Sequence, residues 1–131
     1  MRLLKLCKEA KEKFGGFIRI IAGNIAHPDT YFEYAKAGID GIRCGIGTGS
    51  ACTTAANVGT FFAMGSLIAS CNNNKLDVIK SIQSGDDKYK SIPFIIADGG
   101  FNTYDKIIKA LALGADYVMI GKIFAECEEA C

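Results

Sequence analysis

Nothing in this 131-residue sequence supplies a field of one sign: fifteen basic and fourteen acidic residues leave a formal net charge of +1. That balance gives no electrostatic footprint for nucleic acid. The basic side chains are dispersed among acids, as between Lys5 and Lys13, in the manner of a solvated helix face. Metal-site spacing is missing too. The six cysteines Cys7, Cys44, Cys52, Cys71, Cys127 and Cys131 contain no CxxC pair and meet no histidine-rich pattern, so they do not read as a zinc site. The stretch from Met1 to Phe14 carries charges throughout, unlike a secretory signal. No apolar run approaches the ~20 residues that span a bilayer. The expectation is a reducing, cytoplasmic setting with free thiols, no membrane and no nucleic acid.

What is present is a core. Half of the residues are hydrophobic, enough for one domain over 1–131. Leu3, Leu6, Cys7, Ala10 and Phe14 fall near one face of a predicted helix over 3–14, which Gly15-Gly16 ends. Ile18 to Ala22 is a short β-branched run, suited to a strand covered on both faces. His27-Pro28 opens a second helix, which Gly38 closes. A strand follows over Gly41 to Cys44, then a helix over about 63–71. The region from Asn72 to Lys90 is polar and poorly periodic, although Leu76, Ile79 and Ile82 mark a further helical stretch. Ile92 to Ala97 reads as a third strand and Tyr117 to Ile120 as a fourth. Between them lies a helix capped by Asn102, with Asp105 at its third position and Gly114 after its end.

Strand and helix alternate, which is the pattern of a parallel α/β architecture. There is also an internal echo. Ile20-Ile21-Ala22 returns as Ile95-Ile96-Ala97 and Gly38-Ile39-Asp40 as Gly114-Ala115-Asp116, so a β-α-β block over about 18–45 resembles one over about 92–121. Chance likeness between short apolar strands is the competing account, but the two offsets agree, which favours a repeated unit. Repeated βα units suit a barrel, and a full barrel takes about 250 residues. The expected fold is therefore a partial (β/α)8 TIM barrel, four parallel strands with helices, with two unpaired edges and an inner face in need of a partner layer.

The chemistry concentrates in Gly45-Ile-Gly-Thr-Gly-Ser-Ala-Cys-Thr-Thr54, directly after a strand. Three alternating glycines let the backbone turn tightly and approach a ligand. Their amides or carbonyls can then face a phosphate or an ion. Ser50, Cys52, Thr53 and Thr54 add a thiol and hydroxyls at the strand end where barrel enzymes place their chemistry. Taken alone, Cys52 reads as a small apolar residue. The order G-x-G-x-G-S-x-C-x-T resembles the signature loop of the IMP dehydrogenase / GMP reductase family. The resemblance extends through Gly23-Asn24, Ala37-Gly38-Ile39-Asp40-Gly41-Ile42-Arg43, Ile96-Ala97-Asp98-Gly99-Gly100, and Lys109 to Ala115 followed by Val118-Met119-Ile120-Gly121. It covers most of the chain and corresponds to the second half of that family's catalytic barrel.

The resemblance implies roles. Cys52 is the nucleophile that adds to the purine at C2 of IMP or C6 of GMP, as a thiolate that both attacks and leaves readily. Thr54 matches a hydroxyl that activates the attacking or leaving group, and Glu129 falls where reductases place the carboxylate of a Thr-Glu pair; a merely polar terminus is the alternative for Glu129. Ser50, Gly99, Gly100 and Gly121 hold the nucleotide phosphate, with Lys122 either beside it or turned to solvent. Asp98 accepts from ribose hydroxyls, in a position that also suits a turn before Gly-Gly. Asn24 faces substrate or nicotinamide. The carbonyls of Gly47, Gly49 and Cys52 match a potassium site shared with a neighbouring subunit. Arg43 braces the barrel interior, His27 caps a helix or meets solvent, and Phe61, Phe62 and Met64 pack the loop.

The implied activity is an oxidoreductase of purine nucleotides, converting IMP toward XMP with NAD or GMP to IMP with NADP(H). The implied partners are IMP, GMP or XMP and further copies of the chain, a tetramer in the family, or a complementing half-barrel chain. The departures are a longer Cys52–Asp98 interval, with Asn72–Lys90 as a surface insertion, Ala55 where relatives carry a basic residue, and Lys122 after Gly121. The other half-barrel and the flap over the substrate have no counterpart here. The alternative is thus a catalytically silent half-barrel fragment that binds purine nucleotide phosphate or needs a partner chain.

Overall fold

A computed structural model describes residues 2–49, 52, 57, 59 and 61–130. The first helix, α1 (Arg2–Phe14), and a short 3-10 turn (Gly15–Phe17) lead into β1 (Ile21–Ile25). Next come α2 (Thr30–Ala37), β2 (Gly41–Cys44), α3 (Met64–Gln83) and β3 (Phe94–Asp98). The described chain ends with α4 (Tyr104–Ala112), β4 (Tyr117–Met119) and α5 (Lys122–Ala125). The four strands form one sheet in the order β1-β2-β3-β4, every pair parallel. This is the expected partial α/β barrel. In a parallel sheet every strand delivers its carboxyl end to the same rim: Ile25, Cys44 and Ala97 are in register there, with Asn24 and Asp98 next to them in the chain.

The core lies between the sheet and the helices. Tyr31, Ile39, Ile42, Leu67, Ile68, Val78 and Ile95 are fully buried there, each contributing about 1.5–3 kcal/mol relative to exposure. The Tyr31 hydroxyl, inside this layer, donates to the Pro93 carbonyl at 2.6 Å. Burial pushes the Tyr31 phenol far above its usual range, so it stays a neutral donor. Gly38 sits in the left-handed region at φ 78° and ends α2 by donating to Ala35 O, the αL termination that glycine alone adopts without strain.

The sequence echo has a structural counterpart. Ile20 N–H donates to Asp40 Oδ2 and Ile95 N–H to Asp116 Oδ2, both at 2.7 Å. In return Asp40 N–H donates to Ile20 O and Asp116 N–H to Ile95 O, at 3.0 and 2.9 Å. Each carboxylate also pairs with a lysine from the helix before the strand it ties, Lys11 of α1 for Asp40 and Lys75 of α3 for Asp116. The repeated Gly-x-Asp therefore ties the entry of one strand to the entry of the next. Burial alone would raise the Asp40 carboxyl, but hydrogen bonds from Lys11 and Ile20 and the charges of Lys11 and Arg19 outweigh it and hold it below its ordinary range.

Four sequence expectations change. The stretch expected as two helical pieces, about 63–71 and the one marked by Leu76, Ile79 and Ile82, is a single 20-residue helix, α3, that runs through the polar residues to Gln83. Its apolar period looks broken because Asn74 and Lys75 occupy inward positions and spend their polar ends on Pro28 O and Asp116. The first strand lies at 21–25 rather than 18–22 and is covered on one face only: Ala22 and Ile25 are buried while Ile21 is half exposed. Ile21 pairs with Gly41, an edge position, whereas the two-sided cover holds for the central β2 and β3. On α1 the core face is Leu4, Cys7 and Lys11, leaving Leu3, Leu6 and Phe14 exposed. At α4, Thr103 rather than Asn102 takes the extended N-cap conformation, and Asn102 Oδ1 instead accepts from Lys106. Among the described residues no helix is long and apolar enough to cross a membrane.

Candidate functional site

One polar chain links all four strands at their carboxyl ends. Asn24, on β1, donates through Nδ2 to Gly45 O and to Asp98 Oδ2, both at 2.7 Å. Arg43, on β2, donates to the same Asp98 Oδ2 at 2.6 Å and to Met119 Sδ, on β4, at 3.5 Å. Asp98 closes β3 and its side chain is 19% exposed. Its Oδ2 is thus engaged by two donors, and Oδ1 accepts no hydrogen bond among the described residues. Arg43 Nε is buried without a hydrogen-bond partner among the described residues. The bracing role read for Arg43 has a definite object, the Asp98 carboxylate.

Two glycine loops then close over this rim. Thr48 Oγ1 donates to Asp98 O at 3.1 Å, which sequence reasoning missed; its place between two loop glycines was the available signal. At Gly99, φ is 113°, and a Cβ there would lie 2.5 Å from Thr48 Oγ1 and 2.9 Å from Gly49 N. The two loops therefore touch backbone to backbone, at a distance that only glycine permits. Gly49 O accepts from Cys52 N–H at 3.0 Å, and Cys52 is exposed.

A cleft of about 350 Å³ is lined by Asn24, Gly45 to Gly49, Cys52, Asp98 and Gly99. A second hollow of about 240 Å³ shares Gly49, Asp98 and Gly99 with it and continues along Gly100 to Asn102 and Met119 to Lys122. So Asn24, Gly47, Gly49, Cys52, Asp98, Gly99, Gly100, Gly121 and Lys122 lie on one continuous surface. Lys122 is half exposed and stands 3.7 Å from Glu126, an exposed pair of little strength. Glu129 lies in an exposed turn after α5 and lines neither hollow. Ser50 and Thr54 lie outside the described residues, as do Thr53 and Ala55. His27 is exposed and its Nδ1 accepts from Asp29 N–H at 3.3 Å, just before the N-cap of α2, where no side chain caps the helix. Phe62 and Met64 pack against the core, whereas Phe61 is exposed. Among the described residues no three His, Cys, Asp or Glu side chains converge as a metal site.

Residues 1–131 match the family model described as the IMP dehydrogenase / GMP reductase domain. The chain belongs to the IMP dehydrogenase / GMP reductase family. The inosine-5'-monophosphate dehydrogenase of Chlorobaculum parvum is 37% identical over 127 residues, which is 97% of this chain and 23% of that protein. Its counterpart in Methanocaldococcus jannaschii is 37% identical over 131 residues, 99% of this chain and 24% of its own length. The Borreliella burgdorferi enzyme is 35% identical over 132 residues, 98% and 28% respectively. The chain thus spans about a quarter of the length of these curated relatives. Membership of the IMP dehydrogenase / GMP reductase family accounts for the barrel architecture and for glycine loops meeting at its rim.

Proposed function

We propose that the chain carries the nucleophile and phosphate side of a purine-nucleotide oxidoreductase site, acting on IMP or GMP through a covalent Cys52–purine adduct. The observation that carries this reading is the shared cleft, in which exposed Cys52, Asp98 and Gly99 line one ligand-sized hollow. Asp98 has one oxygen fixed by Asn24 and Arg43, which turns the other toward a ribose diol without cost in side-chain ordering. Backbone N–H groups of Gly99, Gly100 and Gly121 and the ammonium of Lys122, with Ser50, suit a phosphate in the adjoining hollow. The Cys52 thiolate adds to the electrophilic purine carbon, and the same sulfur later leaves as the product forms. Thr54 and Glu129 are the proposed proton-handling pair.

A nicotinamide cofactor, NAD or NADP(H), supplies the hydride acceptor or donor when bound. Both Nδ2 protons of Asn24 are committed to Gly45 O and Asp98, so Asn24 offers the nicotinamide an acceptor oxygen rather than a donor. For potassium, the carbonyls of Gly47, Gly49 and Cys52 form the proposed set, with Gly49 O shared with Cys52 N–H. The proposed setting is the cytoplasm, in a homo-oligomer or with a chain that completes the barrel. The inner sheet face and the edges β1 and β4 carry exposed Ile21, Tyr117 and Met119, which such a layer would cover.

The test is to incubate the full chain, alone and with a chain carrying the remaining strands, with IMP and NAD and then with GMP and NADPH. The absorbance of the reduced cofactor is followed, with Cys52→Ala beside it. Turnover abolished by the substitution is the expected result; turnover that survives it overturns the nucleophile. Nucleotide binding without turnover in any combination replaces the catalytic reading with the silent binder, and absence of both removes either reading.

A further inference from the structure

Outside the cleft, two thiols face each other inside the core. Cys44 Sγ lies 4.0 Å from Cys71 Sγ, with both side chains fully buried. Cys44 is the last residue of β2, and Cys71 lies in the first half of α3. Two reduced sulfurs in van der Waals contact across different elements are one covalent step from a bridge. We propose that Cys44 and Cys71 are an oxidation site of this protein, joined as an intramolecular disulfide by a hydroperoxide and reopened by a dithiol reductant. This inference stands apart from the catalytic reading of Cys52.

The chemistry is balanced within the pair. The sulfur of one cysteine, as thiolate, attacks a peroxide oxygen; the O–O bond breaks, leaving a sulfenic acid and, once protonated, water or an alcohol. The second sulfur then attacks the sulfenic sulfur, the S–S bond forms, and the departing hydroxide takes the second thiol's proton as water. The two sulfurs give up two electrons and the peroxide is reduced by the same two. The hydrogen bond to Cys71 and burial hold the Cys44 thiol well above its ordinary range. Little thiolate is therefore present, and the pair reacts more slowly than the exposed Cys52 and Cys127.

The bridge has a mechanical consequence. A disulfide places its sulfurs about 2 Å apart, so closing it draws the Cys44 and Cys71 side chains together from 4.0 Å and pulls on β2 and α3 at this point. Gly45 follows Cys44 directly. Its N–H donates to Ile25 O at 3.0 Å, and its carbonyl accepts from Asn24. A Cβ at Gly45 would meet both Asp98 O and the Met64 side chain, so the backbone there has no slack. Movement of Cys44 is thus passed to the start of the glycine loop that carries Cys52.

The full chain with Cys52→Ser is treated with hydrogen peroxide, alkylated, and cut by trypsin after Arg43 and Lys75 and by chymotrypsin after Phe62. Mass spectrometry is expected to find fragments 44–62 and 63–75 joined, with the loss of two hydrogens and release by dithiothreitol. Absence of that link while Cys127 is oxidised, its formation only in denaturant, or a link through Cys7 instead would overturn the proposal. Hydrogen exchange of the Gly45–Gly49 amides is expected to change with the bridge and to revert on reduction. Unchanged exchange in a chain shown to be bridged overturns the coupling to the loop. Cys71→Ala is the control, in which both signals are lost.

Discussion

Replacing Gly99 with alanine separates backbone strain from contact, because the chain carries its own control. Gly85, at φ 82°, follows α3 and has no atom within 4 Å of where a Cβ would stand. Gly85→Ala therefore meets only the left-handed backbone penalty, about 1–2 kcal/mol, reduced by the smaller entropy of the unfolded alanine chain to about 1 kcal/mol net. Gly99→Ala carries at least that penalty, because φ 113° lies farther from the left-handed region open to side chains, and it also drives a methyl to 2.5 Å from Thr48 Oγ1 and 2.9 Å from Gly49 N. The second contact is with backbone and cannot be relieved by a rotamer change. Overpacking of this kind costs about 1–3 kcal/mol, so the expected total is about 2–4 kcal/mol. Urea unfolding of both variants and the parent, followed by far-ultraviolet circular dichroism, measures the difference. Gly99→Ala is also expected to weaken IMP binding in equilibrium dialysis, and Gly85→Ala to leave it unchanged. Equal costs for the two substitutions would refute the claim that the glycine loops are pressed together at the rim.

Three further outcomes rest on other parts of the fold. Asp40 is held below its ordinary range, so its contribution is complete above its unfolded value near about 4 and disappears as the pH falls through the lower folded one. The melting-temperature gap between the parent and Asp40→Asn should accordingly narrow on acidification, and a gap that widens contradicts the pairing with Lys11 and Ile20. Tyr31→Phe removes the buried hydrogen bond to Pro93 O and should lower stability by about 1–2 kcal/mol in the same urea assay, without altering nucleotide binding. Arg43→Ala leaves the Asp98 carboxylate with Asn24 as its donor among the described residues. Because Arg43 is 41% exposed, the stability loss should be below about 1 kcal/mol, while IMP affinity should fall by about tenfold or more; unchanged affinity in calorimetry would remove Asp98 from the binding site.

Much of the architecture is legible in the sequence because the information is local. Alternating β-branched runs and amphipathic stretches define strand and helix, and Gly38 and Gly114 mark helix ends through backbone conformations that side chains rarely adopt. The echo Gly-x-Asp was visible as a repeat, but its purpose was not: only the fold shows Asp40 and Asp116 receiving the N–H of the preceding strand's entry. Both helical pieces of α3 are legible, but their continuity through Asn74 and Lys75 is not, because periodicity counts apolar residues, whereas these side chains serve partners 46 and 41 residues away in sequence.

The site divides in the same way. The residue types at the rim, a cysteine after alternating glycines and an Asp before Gly-Gly, were fixed by sequence order, and the order carries the family. What only the tertiary structure decided is their mutual arrangement. Parallel strands bring Asn24, Arg43, Asp98 and Met119 to one rim from positions spread over most of the chain, so that a single carboxylate oxygen holds Asn24 and Arg43 together. The contact of Gly99 with Thr48 and Gly49 and the meeting of Cys44 with Cys71 likewise arise from strand register and helix packing. Such contacts depend on distances between segments, which no local pattern of residues encodes.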